Sequence, residues 1–310
     1  MQGSALFRRL MYPLLAASLA LSVSQGVLAA DTPATDIHVG TLKAERHGDH
    51  GRPVILIPGL EGGPWVWEKT IAQLQKDHVV YAVTLAGFDG MPAPKDASQL
   101  LDRADASLLD LINQQKLDKP VLIGHSLGGT LALRFASEHP ERIAGVLAAD
   151  GLPIIPGMDQ VSADERKAIA SQTRDQMASA TPEQFKGQVL EYMKSTGVID
   201  PRQAERYAPL NARSDAAATA EYMAEDMAAD YRPGLKNANV PIVEISPYYA
   251  PDFSNPPMKF TEAEKAGYYE SLLAGAPNAK VVSISPSRHF VMIDQPVKFQ
   301  QAVHDFIATL

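Results

Sequence analysis

The five residues Gly124-His125-Ser126-Leu127-Gly128 constrain this chain more than any other feature. They follow the apolar run Val121-Leu122-Ile123 and lead into a helical pattern from Thr130 to Glu138. A serine with a glycine two residues away on each side, set between strand and helix, specifies a sharp turn with a strained backbone. Small residues are required where the neighbouring elements come close. The turn lifts the Ser126 hydroxyl out of the sheet and sets the Leu127 N–H and the helix N-terminus beneath a reacting oxygen.

The surrounding pattern alternates strand and helix. Leu42 to His47, Pro53 to Ile57 and Val79 to Leu85 read as strands, with a helix from Trp65 to Asp77 between the last two. Leu100 to Leu117 carries the apolar spacing of an amphipathic helix, and Ile143 to Ala149 is a further strand. Continuous apolar strands between helices imply a mostly parallel sheet covered on both faces. From 152 to 235 the reading is helix after helix. Ser162 with Glu165 has the spacing of a capping box, as does Thr181 with Gln184, where Pro182 takes the first helical position. Asp215 to Asp230 is a third helix of this segment. The order then resumes with the strand Val240 to Ile245, the helix Glu262 to Ala274 behind Thr261, the strand Lys280 to Ser285 and a closing helix from Pro296 to Leu310. One α/β core (31–151 and 236–310) with a helical insertion (152–235) is expected.

Residues 1–30 have the order of a secretory signal peptide. Arg8 and Arg9 precede an apolar stretch from Leu10 to Val23, and Val27-Leu28-Ala29-Ala30 offers small residues for cleavage. The stretch is short for a stable membrane span of about 20 residues. A periplasmic or secreted location is expected, with a retained anchor as the alternative. With no cysteine, a thiol nucleophile and any Cys-ligated metal are excluded. The formal charge is −8, and no Lys/Arg run is present, which argues against nucleic acid as a partner.

A serine hydroxyl needs a histidine base, itself oriented by an acid. Of the eight histidines, His289 lies in the loop between the strand Lys280 to Ser285 and the final helix, at the sheet edge where Ser126 stands. His289 is therefore the expected base. His47 and His50 flank Asp49 in a hairpin turn, without a fourth ligand at metal spacing. No metal or organic cofactor is expected. His78, His139 and His304 sit at element ends, and His125 lies inside the serine turn.

With these residues in place, the chain resembles the α/β-hydrolase fold family. The resemblance rests on Gly124 to Gly128, on Ile57-Pro58-Gly59-Leu60, on Leu85-Ala86-Gly87-Phe88-Asp89-Gly90 and on His289. It implies an eight-stranded, mostly parallel sheet with a helical cap inserted after strand six. It also implies that the Leu60 N–H joins that of Leu127 in an oxyanion hole. The usual histidine before that glycine is replaced by Pro58, so a side-chain contact that stiffens the loop is lost. Family members carry the acid after strand six or, more often, after strand seven. Asp150 fits the first position and is preferred; Asp252 lies near the second and competes, with Glu244 behind both.

Met177, Met193, Met223, Met227, Phe185, Leu190, Tyr192 and Tyr222 place apolar mass on the inserted helices, as cap packing or as pocket lining. Trp65 and Trp67 could form another pocket wall or the core face of their helix. The expected activity is serine-dependent hydrolysis of an ester of a small or medium apolar molecule. A C–C bond hydrolase, lactonase, thioesterase or acyltransferase could use the same groups, and a non-catalytic binding module is the remaining alternative. Haloalkane dehalogenases and epoxide hydrolases are disfavoured, since they need an aspartate where Ser126 stands.

Overall fold

The computed structural model describes residues 35–254 and 259–310; the proposed signal peptide lies outside the described residues. Eight strands form one sheet: β1 (Thr35–Val39), β2 (Leu42–His47), β3 (Arg52–Ile57), β4 (His78–Leu85), β5 (Val121–His125), β6 (Gly145–Ala149), β7 (Ile242–Pro247) and β8 (Ala279–Ile284). Their spatial order is β1-β2-β4-β3-β5-β6-β7-β8. The first two strands pair antiparallel, β2 pairs antiparallel with β4, and the rest are parallel. This is the α/β-hydrolase architecture.

Two readings of the N-terminal strands need correction. The chain at His47–Asp49–His50 does not close a hairpin, because β3 crosses over to lie between β4 and β5. The first strand, Thr35–Val39, escaped detection because only its last residue is buried. An edge strand shows little of the apolar alternation by which strands are recognised.

The helices of the core are α1 (Glu68–Leu74), α2 (Leu100–Gln114), α3 (Leu127–Glu138), α8 (Glu262–Leu272), α9 (Val291–Asp294) and α10 (Pro296–Ala308). Between β6 and β7 run four more: α4 (Ala163–Ala178), α5 (Pro182–Tyr192), α6 (Pro201–Asn211) and α7 (Ala216–Ala228). The expected capping boxes at Ser162 and Thr181 are formed, and Thr261 forms another with Glu264. Helix α6 went unread because Pro209 stands within it, and an internal proline signals a helix break.

The inserted helices are fastened to the core by specific bonds. The α7 carboxylate of Glu225 accepts the Leu100 and Leu101 N–H groups at 2.7 Å each, capping α2 from outside its own sequence. The Asp215 N–H donates to the Gly87 carbonyl at 2.7 Å. The core itself has two apolar layers, one on each face of the sheet. Leu108, Leu131, Phe135 and Tyr222 belong to the first, and Trp67, Phe299 and Val303 to the second.

Candidate active site

Ser126 is the first residue beyond β5 and adopts φ 51°, ψ −125°. A non-glycine residue occupies that region only when its surroundings force it. Here the forcing is steric and bonded. The Ser126 N–H donates to Ala149 O at 2.9 Å, and Ser126 O accepts from Gly129 and Thr130. A Cβ on Gly124 would lie 2.2 Å from Gly128 O, and one on Gly128 would lie 2.2 Å from Ile57 O. Only glycine allows the strand and helix to approach this closely.

The strand register sets the neighbours. His125 is paired with Ala149, so Ser126 and Asp150 emerge side by side at the carboxyl ends of β5 and β6. Open parallel sheets bind ligands at that edge. Asp150 also takes a positive φ of 53° and donates its N–H to Ile245 O. Its Oδ2 lies 2.5 Å from His289 Nδ1, and its Oδ1 accepts the Tyr269 hydroxyl. The Lys265 ammonium stands 3.8 Å away. Burial would raise the Asp150 pKa, but the Lys265 charge and the bonds from His289 and Tyr269 hold it below the ordinary carboxylate range.

The competing acids are engaged elsewhere. Asp252 pairs with Arg288 in a two-bond fork, Nε to Oδ2 at 2.8 Å and Nη2 to Oδ1 at 2.7 Å. Arg288 also reaches Lys194 O and Val198 O, stitching the His289 loop to the turn after α5. Glu244 is fully buried and accepts the Gly151 N–H at 3.2 Å. Burial and the nearby Asp150 charge push its pKa well up.

His125 has a role that sequence reasoning missed. It is 1% exposed, and its Nε2 donates to the His289 carbonyl at 3.1 Å. Since a carbonyl only accepts, the proton is on Nε2 and Nδ1 is bare. Burial drives its pKa well down, so the ring is neutral. His125 packs at a tilt against His289 and Phe290, with ring centres 4.5 and 4.6 Å apart. It braces the His289 loop from beneath. The one available signal was the adjacency of His125 to Ser126.

Two cavities meet at Ser126. The first, about 200 Å³, is bordered by Met177, Phe185, Val189, Ala216 and Phe290, with Glu61 and Gln188 as its added polar groups. The second, about 250 Å³, is bordered by Thr130, Leu152, Ile154, Pro156 and Asp226, together with Asp150 and Tyr269. Leu60, Ser126, Tyr192, Met223 and His289 border both. The Leu60 and Leu127 N–H groups donate to no protein acceptor among the described residues. Leu127 opens α3, so its donor is one of the free N–H groups of a helix start.

The remaining apolar candidates divide between packing and lining. Met193 and Tyr222 are fully buried in the packing, and Leu190 packs partly buried against the sheet. Trp67 is buried against Phe299, whereas Trp65 stacks between Tyr207 and Phe290, one layer behind the first cavity.

Among the described residues, three potential metal ligands cluster at Asp105, Glu138 and His139. They lie at the far end of α3, about 18 Å from Ser126 at 1.5 Å per residue. Arg134 already pairs with Glu138 there at 3.0 Å.

A profile of the alpha/beta hydrolase family matches residues 54–302, and the chain belongs to that family. It is 29% identical over 149 residues to a 1-acylglycerol-3-phosphate O-acyltransferase of Rattus norvegicus. That match covers 46% of this chain and 41% of the relative, so the chain spans about two fifths of its length. Among solved structures, an esterase from Exiguobacterium antarcticum superposes with a TM-score of 0.70 at 18% identity, covering 89% of this chain and 99% of that one. An enol-lactonase from Burkholderia xenovorans gives 0.66 at 19% identity, covering 88% and 100%.

Proposed function

We propose that the protein is a serine hydrolase that cleaves an ester of a small or medium apolar acid through an acyl-enzyme. The observation that carries this reading is the His289–Asp150 pair opening onto the cavities that Ser126 borders. In the first half-reaction Ser126 Oγ attacks the ester carbonyl carbon, and His289 Nε2 takes the serine proton. Asp150 holds the proton on Nδ1, which leaves Nε2 free to accept. The carbonyl oxygen becomes an anion that the Leu60 and Leu127 N–H groups receive. His289 returns its proton to the departing alcohol. In the second half-reaction His289 deprotonates a water that attacks the acyl-enzyme, and the carboxylic acid leaves as Ser126 regains its proton.

The lining supports an apolar acyl group, since the first cavity is walled by Met177, Phe185, Val189 and Phe290. It argues against a phosphate-bearing substrate of the kind named for the rat relative. Neither cavity has a lysine or arginine among its described lining residues. A phosphate buried there would lack a counter-charge.

A series of p-nitrophenyl esters of increasing acyl length tests the reading. Turnover that peaks at short or medium chains and disappears in Ser126→Ala supports it. Equal slow turnover in both proteins would indicate a binding module. Covalent labelling by a fluorophosphonate at a residue other than Ser126 would remove that serine from the reaction.

A further inference from the structure

We propose that Asp226 is a specificity residue that selects substrates carrying a positively charged nitrogen in the second cavity. The inference rests on the ester-hydrolase reading above and adds the chemistry of one half of the substrate.

Asp226 sits on α7 and borders the same cavity as Ser126 and His289. Among the described residues its carboxylate makes no hydrogen bond and no salt bridge, unlike its helix neighbour Glu225, which caps α2. The side chain is partly accessible, and the protein around it pushes its pKa up to about 7 by desolvation alone, with no cation offsetting the effect. A carboxylate held in this way is an unfilled half of an ion pair.

The rest of the cavity has the same polarity. Asp150 borders it too, while lysine and arginine are missing from its described lining. The first cavity adds a third carboxyl, Glu61, also without a lysine or arginine beside it. Tyr192, shared by both cavities, offers an aromatic ring to a cation entering either one. Leu152, Ile154 and Pro156 would cover the carbon around that nitrogen. An anionic group in the second cavity would meet two carboxyls, Asp150 and Asp226, whereas a neutral alkyl group would leave Asp226 buried and unpaired. A quaternary or protonated amine satisfies both the charge and the apolar wall.

The test compares butyrylcholine with 3,3-dimethylbutyl butyrate, the same ester with carbon in place of the charged nitrogen. The intact chain is expected to favour butyrylcholine in kcat/KM by about tenfold, the scale of one charge-assisted contact. Asp226→Asn is expected to bring that ratio to near one. Asp226→Glu, which restores the charge, is expected to keep it above one. Hydrolysis of the neutral ester at an equal or higher kcat/KM by the intact chain overturns the inference and leaves the hydrolase reading standing. A ratio unchanged in Asp226→Asn removes Asp226 from the assignment. Turnover of neither ester by a chain that still hydrolyses p-nitrophenyl esters overturns the inference and leaves the hydrolase reading standing.

Discussion

His289 Nδ1 lies 2.5 Å from Asp150 Oδ2, a contact between groups 139 residues apart in the chain. The sheet makes this possible. Asp150 is the first residue past β6, one strand over from Ser126, and its positive φ turns the chain at that point. After β7 the chain instead enters a turn at Ala250–Phe253 that delivers Asp252 to Arg288. Each oxygen of the Asp150 carboxylate has one strong donor, His289 on one side and Tyr269 on the other. The carboxylate is therefore fixed in rotation as well as in charge.

Asp150→Asn is expected to lower kcat by about 10⁴, the scale seen when a triad acid loses its charge but keeps its shape. The amide presents a donor or a neutral oxygen to Nδ1, which shifts the tautomer that must leave Nε2 free. Asp252→Asn is expected to retain most turnover. Steady-state kinetics on a p-nitrophenyl ester decide between them, and a swapped result would place the acid after β7.

Asp252 and Arg288 are expected to report on stability. Their pair is partly solvated, so Asp252→Ala is expected to cost about 0.5–1 kcal/mol. Arg288→Ala is expected to cost about twice that or more, because it also withdraws donors from Lys194 O and Val198 O. Thermal melts rank the two variants. Equal melting points would mean that the links to the turn after α5 add nothing.

The serine turn stores strain that a different substitution should release. Ser126 at φ 51° occupies a region that costs a non-glycine residue about 1–3 kcal/mol. Glycine takes that conformation freely but loses about 0.5–1 kcal/mol through its more flexible unfolded chain. Ser126→Gly is therefore expected to be more stable than the parent by about 1 kcal/mol and to be inactive. A lower melting point would show that the serine side chain makes a compensating contact.

Much of this site could be read in the sequence because its constraints are local. Gly124, Ser126 and Gly128 needed only their strand and helix neighbours to be recognised, and α3 and β5 stand where the turn requires them. The Thr181 capping box was equally visible, being written within four residues. Pairing across the sheet was not local. The spacing of residues could not tell Asp150 from Asp252, because the choice depends on which carboxylate Arg288 claims. The crossover of β3 between β4 and β5 likewise follows from packing that no short window records. Glu61 and Asp226 were passed over for the same reason, since each lies beside the site only after the inserted helices fold over the sheet.

Glu61 gives the protein a pH-dependent stability whose direction is fixed by its burial. It is 8% exposed, and desolvation lifts its pKa from 4.5 to about 7 despite a hydrogen bond from Asn211. Between those two values the folded state binds the proton and the unfolded state does not. Stability from this group is thus complete below pH 4.5 and is lost as pH rises through 7. The difference amounts to about 3 kcal/mol. Glu61→Gln removes the ionisation and keeps the shape, so it is expected to match the parent near pH 4 and to melt higher at pH 8. A gap of about 5 °C or more is expected at pH 8, given roughly 2–4 °C per kcal/mol for a domain of this size. Asp226 and Asp105 are also raised by burial, but they contribute alike to both proteins and drop out of the comparison. Melting curves of the two proteins from pH 4 to pH 8 measure the effect. Parallel curves across that range would mean that Glu61 stays ionised in the fold, with Asn211 and the cavity solvating its charge.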